Sequence, residues 1–126
     1  MRILLDTHIF VWWLANDRKL PKKAEPFILD PDNEIHVSAA SVWEIAIKQA
    51  LGQIQVDPSL LVASIPDCGF RELPVTSRHA IETGKLPPHH RDPFDRLLVA
   101  QSLIEPMYLL THDRQLTDYG DTVWVV

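Results

Sequence analysis

The chain is predicted to adopt an α/β fold, and three observations carry that prediction. Short apolar strands alternate with helical stretches, the first strand is a continuous apolar run (Ile3-Leu4-Leu5), and no repeat, low-complexity tract or linker breaks the pattern. Successive parallel strands need a crossover, usually a helix, so alternation implies a mostly parallel sheet covered on both faces. A strand buried on both faces reads as an unbroken apolar run.

The elements follow in order. Arg2 to Asp6 is read as the first strand, ending on an acid, and Thr7 to Ala15 continues as a helix. Pro21, Pro26 and Pro31 break up a loop-and-helix region. Glu34 to Ser38 then alternates as a strand, and Ala39 to Leu51 forms a helix closed by Gly52 at its C′ position. Pro58 to Cys68 is a further helix, Arg71 to Val75 a short strand, and Ser77 to Lys85 a helix. The run Leu86-Pro87-Pro88-His89-His90-Arg91 is a stiff loop, after which Asp92-Pro93 opens a helix to about Ile104, with Asp92 as cap and Pro93 in the first turn. Pro106 stops that helix, Met107 to Leu110 is a strand, Asp113 to Tyr119 a turn or short helix, and Val123 to Val126 a last strand.

A chain of 126 residues, 46% hydrophobic and 23% charged, supports one core, so residues 1–126 are expected to form a single domain. The one cysteine, Cys68, has no partner for a disulfide and, between Ile65 and Phe70, is expected in the core. The amino terminus lacks a signal-peptide pattern and no apolar span reaches membrane length, which points to a cytoplasmic protein. The formal charge of −5 excludes coating of nucleic acid by bulk electrostatics, since that takes many phosphate neutralisations. It suits a site in which carboxylates gather a divalent cation that meets the phosphate.

Four acids are candidates for that site. Ligands of open α/β sheets bind at the carboxyl ends of the strands, where Asp6 and Asp113 fall. Glu44 lies in the apolar helix Ser41-Val42-Trp43-Glu44-Ile45-Ala46-Ile47, on a stripe with Ala40, Ile47 and Leu51 expected to face inward. Asp95 shares its face with Leu98, Val99 and Ser102. A like-charged pair at about 4 Å costs roughly 4 kcal/mol at an effective dielectric near 20, so four converging carboxylates require a compensating charge. A hard cation such as Mg²⁺ or Mn²⁺ takes oxygen ligands, activates a water and steadies a phosphate in transfer, which is the chemistry of phosphodiester hydrolysis. The structural alternatives are an N-cap role for Asp6, a first-turn role for Asp95 and a buried ion pair for Glu44.

At this point the residues resemble a known family. LLDTHIFVWWL, SAASVWEIAIKQALG, HRDPFDRLLVAQS and LLTHDRQL are similar, in order and across almost the whole chain, to the four acidic blocks of the PIN domain, and within it of the VapC-type toxins. The resemblance implies a five-stranded parallel sheet in a helix–sheet–helix sandwich, Mg²⁺- or Mn²⁺-dependent endoribonuclease activity, a homodimer, and neutralisation by a VapB-type antitoxin encoded beside it. Carried over by position, the acids are Asp6, Glu44, Asp95 and Asp113, and Thr111 is placed to hydrogen-bond a metal-bound water. Asp92 competes with Asp95 for the third role; Asp95 is preferred because it directly precedes the apolar helix and Asp92 has a capping function.

Asp6, Asp95 and Asp113 are assigned to the metal, with Glu44 either ligating or orienting the attacking water. Lys48, Arg91 and Arg96 are candidates for RNA phosphates, with solvated surface as the alternative. The His89-His90 pair and His112 lack the second ligand pair that a zinc site needs. Of Trp12 and Trp13, one is expected in the core and the other exposed, where it could line a groove for an antitoxin helix. Two other functions compete: a PIN-like interaction module without activity, and an aspartyl-nucleophile phosphohydrolase, which calls for an acid two residues after the first where the chain has His8.

Overall fold

The computed structural model describes residues 1–126. Five strands, β1 (Arg2–Leu5), β2 (Glu34–Ser38), β3 (Arg71–Leu73), β4 (Tyr108–Thr111) and β5 (Val123–Val125), form one sheet in the order β3-β2-β1-β4-β5. Every pairing is parallel, so the sheet is wholly rather than mostly so. The helices are α1 (Thr7–Ala15), α2 (Glu25–Leu29), α3 (Ala39–Ala50), α4 (Pro58–Asp67), α5 (Ser77–Thr83) and α6 (Pro93–Ile104), with a 3-10 helix at Arg114–Tyr119. This is the expected α/β sandwich. No helix is long and apolar enough to cross a membrane.

The period of two along each strand divides the core between the two faces. Ile3 and Leu5 pack on one side with Ile9 and Phe10 of α1, Ile45 of α3, and Leu61 and Ile65 of α4. Leu4 and Leu109 pack on the other side with Leu98 and Val99 of α6. Ile3, Leu4 and Leu5 are completely buried, and each such side chain contributes about 1.5–3 kcal/mol, which offsets the cost of drawing the following Asp6 into the protein. β1 is central, with Leu5 in register with Val37 on one side and Leu110 on the other. The carboxyl end of β1 therefore lies between the starts of α3 and the chain beyond β4.

Three expectations need correction. Cys68 is exposed: α4 ends at Asp67, and the chain turns through Gly69 (φ 78°), so Ile65 and Phe70 take the buried places on either side. Trp12 and Trp13 do not divide into core and surface; both are half-buried against the first cluster, where Trp13 meets Phe70 and Trp12 meets His112. The buried stripe of α3 stops short of the expected one, since Ile47 and Leu51 are exposed. The buried face consists of Ala40, Ser41, Glu44 and Ile45.

Candidate active site

Each of the four acids reaches the carboxyl edge of the sheet from a different element. Asp6 follows β1, Glu44 sits in the middle of α3, Asp95 lies in the first turn of α6, and Asp113 follows β4. The side chains are near enough that the charges of Asp6, Asp92, Glu44 and Asp113 all act on Asp95. Burial first, and that crowd of acids second, push its carboxyl up to about 8. Asp6 is likewise raised, by burial above all; the Thr111 hydrogen bond opposes the shift and the Glu44 charge adds to it.

The two most buried acids share one arrangement. Asp6 occupies the N-cap position of α1 without using its side chain as a cap. Its Oδ2 accepts the Thr111 hydroxyl at 2.5 Å, while Oδ1 is buried with no partner. Glu44 Oε2 accepts from Lys48 Nζ at 2.6 Å, while Oε1 is also buried and unpartnered. One oxygen of each carboxylate is anchored and the other is bare. A buried oxygen left without a donor costs on the order of 1–3 kcal/mol, more when charged. Two such atoms, close enough to Asp95 for their charges to act on it, leave hard oxygen donors unsatisfied, the donor type that a divalent cation takes.

Asp95 and Asp113 are tied together by a residue that the sequence reading left aside. His90 Nε2 lies 3.0 Å from Asp113 Oδ2 and 3.5 Å from Asp95 Oδ2. Its Nδ1 accepts the backbone N–H of Asp92 at 3.0 Å, so the ring proton is on Nε2 and His90 donates to Asp113. These three residues alone have the spacing of a metal-ligand group. In this tautomer, however, His90 offers the acids a donor and has no lone pair for a cation. The other histidines go elsewhere: His89 is exposed against Tyr119, and His112 donates Nδ1–H to the Val126 carbonyl. His90 could have been found only from the folding back of its loop.

Asp92 and Asp95 have separate duties. Asp92 Oδ1 caps α6, accepting from the N–H groups of Phe94 (2.8 Å) and Asp95 (3.3 Å), which leaves Asp95 turned toward the acids. Thr111 donates its hydroxyl to Asp6 and accepts the Asp113 N–H at 3.0 Å. The hydroxyl pair Thr7–Ser41, 2.8 Å apart, ties the start of α1 to α3 and so holds Asp6 near Glu44.

Two of the three proposed phosphate contacts are already engaged. Lys48 is paired with Glu44 one turn away. Arg96 spends its guanidinium on the carbonyls of Thr83, Leu86 and Pro87 and on the Tyr119 hydroxyl, pinning the proline loop to α5 and α6. Lys48 finds its acceptor within its own helix, whereas Arg96 meets its acceptors only once the proline loop folds back on α6. Arg91 remains exposed.

Comparisons with known proteins agree with this architecture. The family model of the PIN domain matches residues 3–121. Ribonuclease VapC22 of Mycobacterium tuberculosis (strain ATCC 25618 / H37Rv) is 30% identical over 129 residues, covering 97% of this chain and 98% of that protein. Among solved structures, VapBC2 from Rickettsia felis bound to a DNA fragment from their promoter superposes with a TM-score of 0.72 at 14% identity, covering 100% of this chain and 98% of that one. DNA-bound VapBC from Salmonella typhimurium gives 0.70 at 15% identity, with 99% and 98% covered. At those identities the two structures speak for the fold.

Proposed function

The chain belongs to the PIN-domain family, among its VapC-type members, and from that premise we propose that it is a Mg²⁺- or Mn²⁺-dependent endoribonuclease, the toxin of a VapBC-type pair. The observation that carries the proposal is the pair of bare, buried carboxylate oxygens on Asp6 and Glu44, set beside Asp95 and Asp113. Asp6, Glu44, Asp95 and Asp113 would hold the cation, which when bound supplies Lewis-acid stabilisation of the phosphate and a more acidic water.

The protein's own groups do the rest. Thr111 and Lys48 fix one oxygen each of Asp6 and Glu44, so the remaining oxygens keep their direction without reorganising. Glu44 Oε1 is free of any donor, which supports a role for it either in ligating the cation or in taking the proton of the attacking water. Asp113 is held at both oxygens, by Gln115 N–H and by His90, so its position is set before any ligand arrives. The name of the M. tuberculosis relative supports RNA as substrate, and the VapBC structures support a VapB-type antitoxin partner; a homodimer and a cytoplasmic location complete the proposal.

The test is cleavage. Purified protein free of antitoxin is incubated with total cellular RNA and Mn²⁺ or Mg²⁺, beside EDTA and an Asp95→Asn control, and the cut ends are mapped. Discrete cuts lost in both controls are expected. Equal cutting with EDTA would remove the metal from the proposal, and no cutting under any cation would favour a PIN-like interaction module.

A further inference from the structure

Beside the acidic site lies a cleft of a different character. It has a volume of about 490 Å³, within the roughly 300–1,000 Å³ usual for small-ligand sites, and its walls include Trp43, Val75, Phe94, Leu97, Arg91 and Arg96. Trp43 and Phe94 immediately precede Glu44 and Asp95, and their rings meet edge to face, 5.1 Å between centroids, bridging α3 and α6. The cleft thus begins one residue from two of the acids.

Its chemistry specifies an occupant. Trp43 is 61% exposed, in a protein whose other tryptophans are all at least half-buried. With Val75, Phe94 and Leu97 beside it, Trp43 belongs to a contiguous apolar surface of the kind that marks a binding site. No acidic side chain lines the cleft, although the chain as a whole carries −5 and the neighbouring site is built of carboxylates. Arg96 is committed to carbonyls, so Arg91 is the cation available to a ligand. An occupant that is flat and aromatic on one side and anionic on the other is a nucleotide.

Resting on the ribonuclease reading above, we propose that this cleft is a nucleobase subsite: one base of the RNA stacks on Trp43 while Arg91 meets an adjoining phosphate. Stacking tolerates any base, whereas the walls Val75 and Leu97 limit its size, so the subsite would contribute affinity and a preference in the base beside the cut.

The experiment uses the full chain carrying Asp95→Asn, with fluorescently labelled RNA octamers of single base composition and an abasic octamer of the same length, followed by anisotropy in Mn²⁺. Base-bearing octamers are expected to bind about ten- to a hundredfold more tightly than the abasic one. Trp43→Ala should abolish that difference and Trp43→Phe should keep most of it, whereas Arg91→Ala should weaken all octamers alike. Because Trp43 is largely exposed, its variants should melt near the parent temperature, which separates lost binding from lost folding. If RNA binds but Trp43→Ala leaves the base-dependent difference intact, the subsite is overturned and the ribonuclease reading stands. If no octamer binds, the subsite is overturned, and the cleavage test above decides the ribonuclease reading separately. If Trp43→Ala weakens antitoxin binding but not RNA binding, the cleft is a protein-docking surface and the proposal is wrong.

Discussion

Thr111 donates its hydroxyl to Asp6 Oδ2 at 2.5 Å and accepts the Asp113 N–H at 3.0 Å, so one side chain joins the first and last acids of the site. The contact follows from register: Leu5 pairs with Leu110, and the next residues along the chain are Asp6, just past β1, and Thr111, the last of β4. Replacing the hydroxyl by a methyl removes the donor that opposes the upward shift of Asp6. Thr111→Val should therefore weaken Mn²⁺ binding by about 10- to 100-fold, the usual effect of losing a group that orients a metal ligand. Thr111→Ser should restore it. Equal calorimetric affinities for Val and wild type would show that Asp6 needs no such support.

Lys48 offers a choice between two roles. Its ammonium lies 2.6 Å from Glu44 Oε2, and Glu44 is almost wholly buried. Breaking a buried ion pair costs about 3–5 kcal/mol, but the lysine is about a third exposed, so Lys48→Met should cost roughly 1–2 kcal/mol after screening. Thermal melting should show this loss without cation and a smaller one with Mn²⁺, which would supply the missing positive charge. An unchanged melting temperature with weaker RNA binding would return Lys48 to the phosphate role that its sequence position suggested.

Much of this site was legible because its acids break local rules. Glu44 interrupts an apolar helix and Asp95 heads a buried stripe, and a charge where a core residue belongs demands an explanation. Asp6 and Asp113 were legible from strand ends. What could not be read was each acid's partner, because Thr111–Asp6, His90–Asp113 and Arg96 with the proline loop join residues at separations of 105, 23 and 9 to 13. Those distances close only through strand order and loop path. The stripe on α3 shows the same limit: Ile47 and Leu51 fit helical spacing, yet both are exposed and Ala40, Ser41, Glu44 and Ile45 take the buried face.

His90 has its proton on Nε2 because Asp92 N–H occupies Nδ1, which makes it a donor to the acids and not a ligand. His90→Ala should accordingly leave the Mn²⁺ dissociation constant within about threefold of wild type, where loss of a ligand would change it by roughly tenfold or more. Cleavage should nevertheless fall, since Asp113 loses one of its two tethers. A large drop in calorimetric Mn²⁺ affinity would mean that the ring turns over and binds the metal.

Asp95 links the acidic cluster to pH. Its carboxyl titrates near 8 in the folded protein, against 3.8 for the ordinary group, because burial and the surrounding acids disfavour its charge. A raised folded pKa means that the folded state holds the proton more tightly than the unfolded one. The associated stability is fully present below about pH 3.8 and is lost as the pH rises towards 8. Between pH 5 and 8 the cation-free protein should thus become progressively less stable through this group. Asp95→Asn, which cannot ionise, should flatten the decline and melt above wild type at pH 8. Saturating Mn²⁺ should do the opposite, stabilising wild type most at the high end of this range, where the carboxylate it would bind is most ionised, and stabilising the asparagine variant far less. Parallel melting curves for the two proteins across this range, with and without cation, would mean that Asp95 is neither strained by its neighbours nor relieved by a metal.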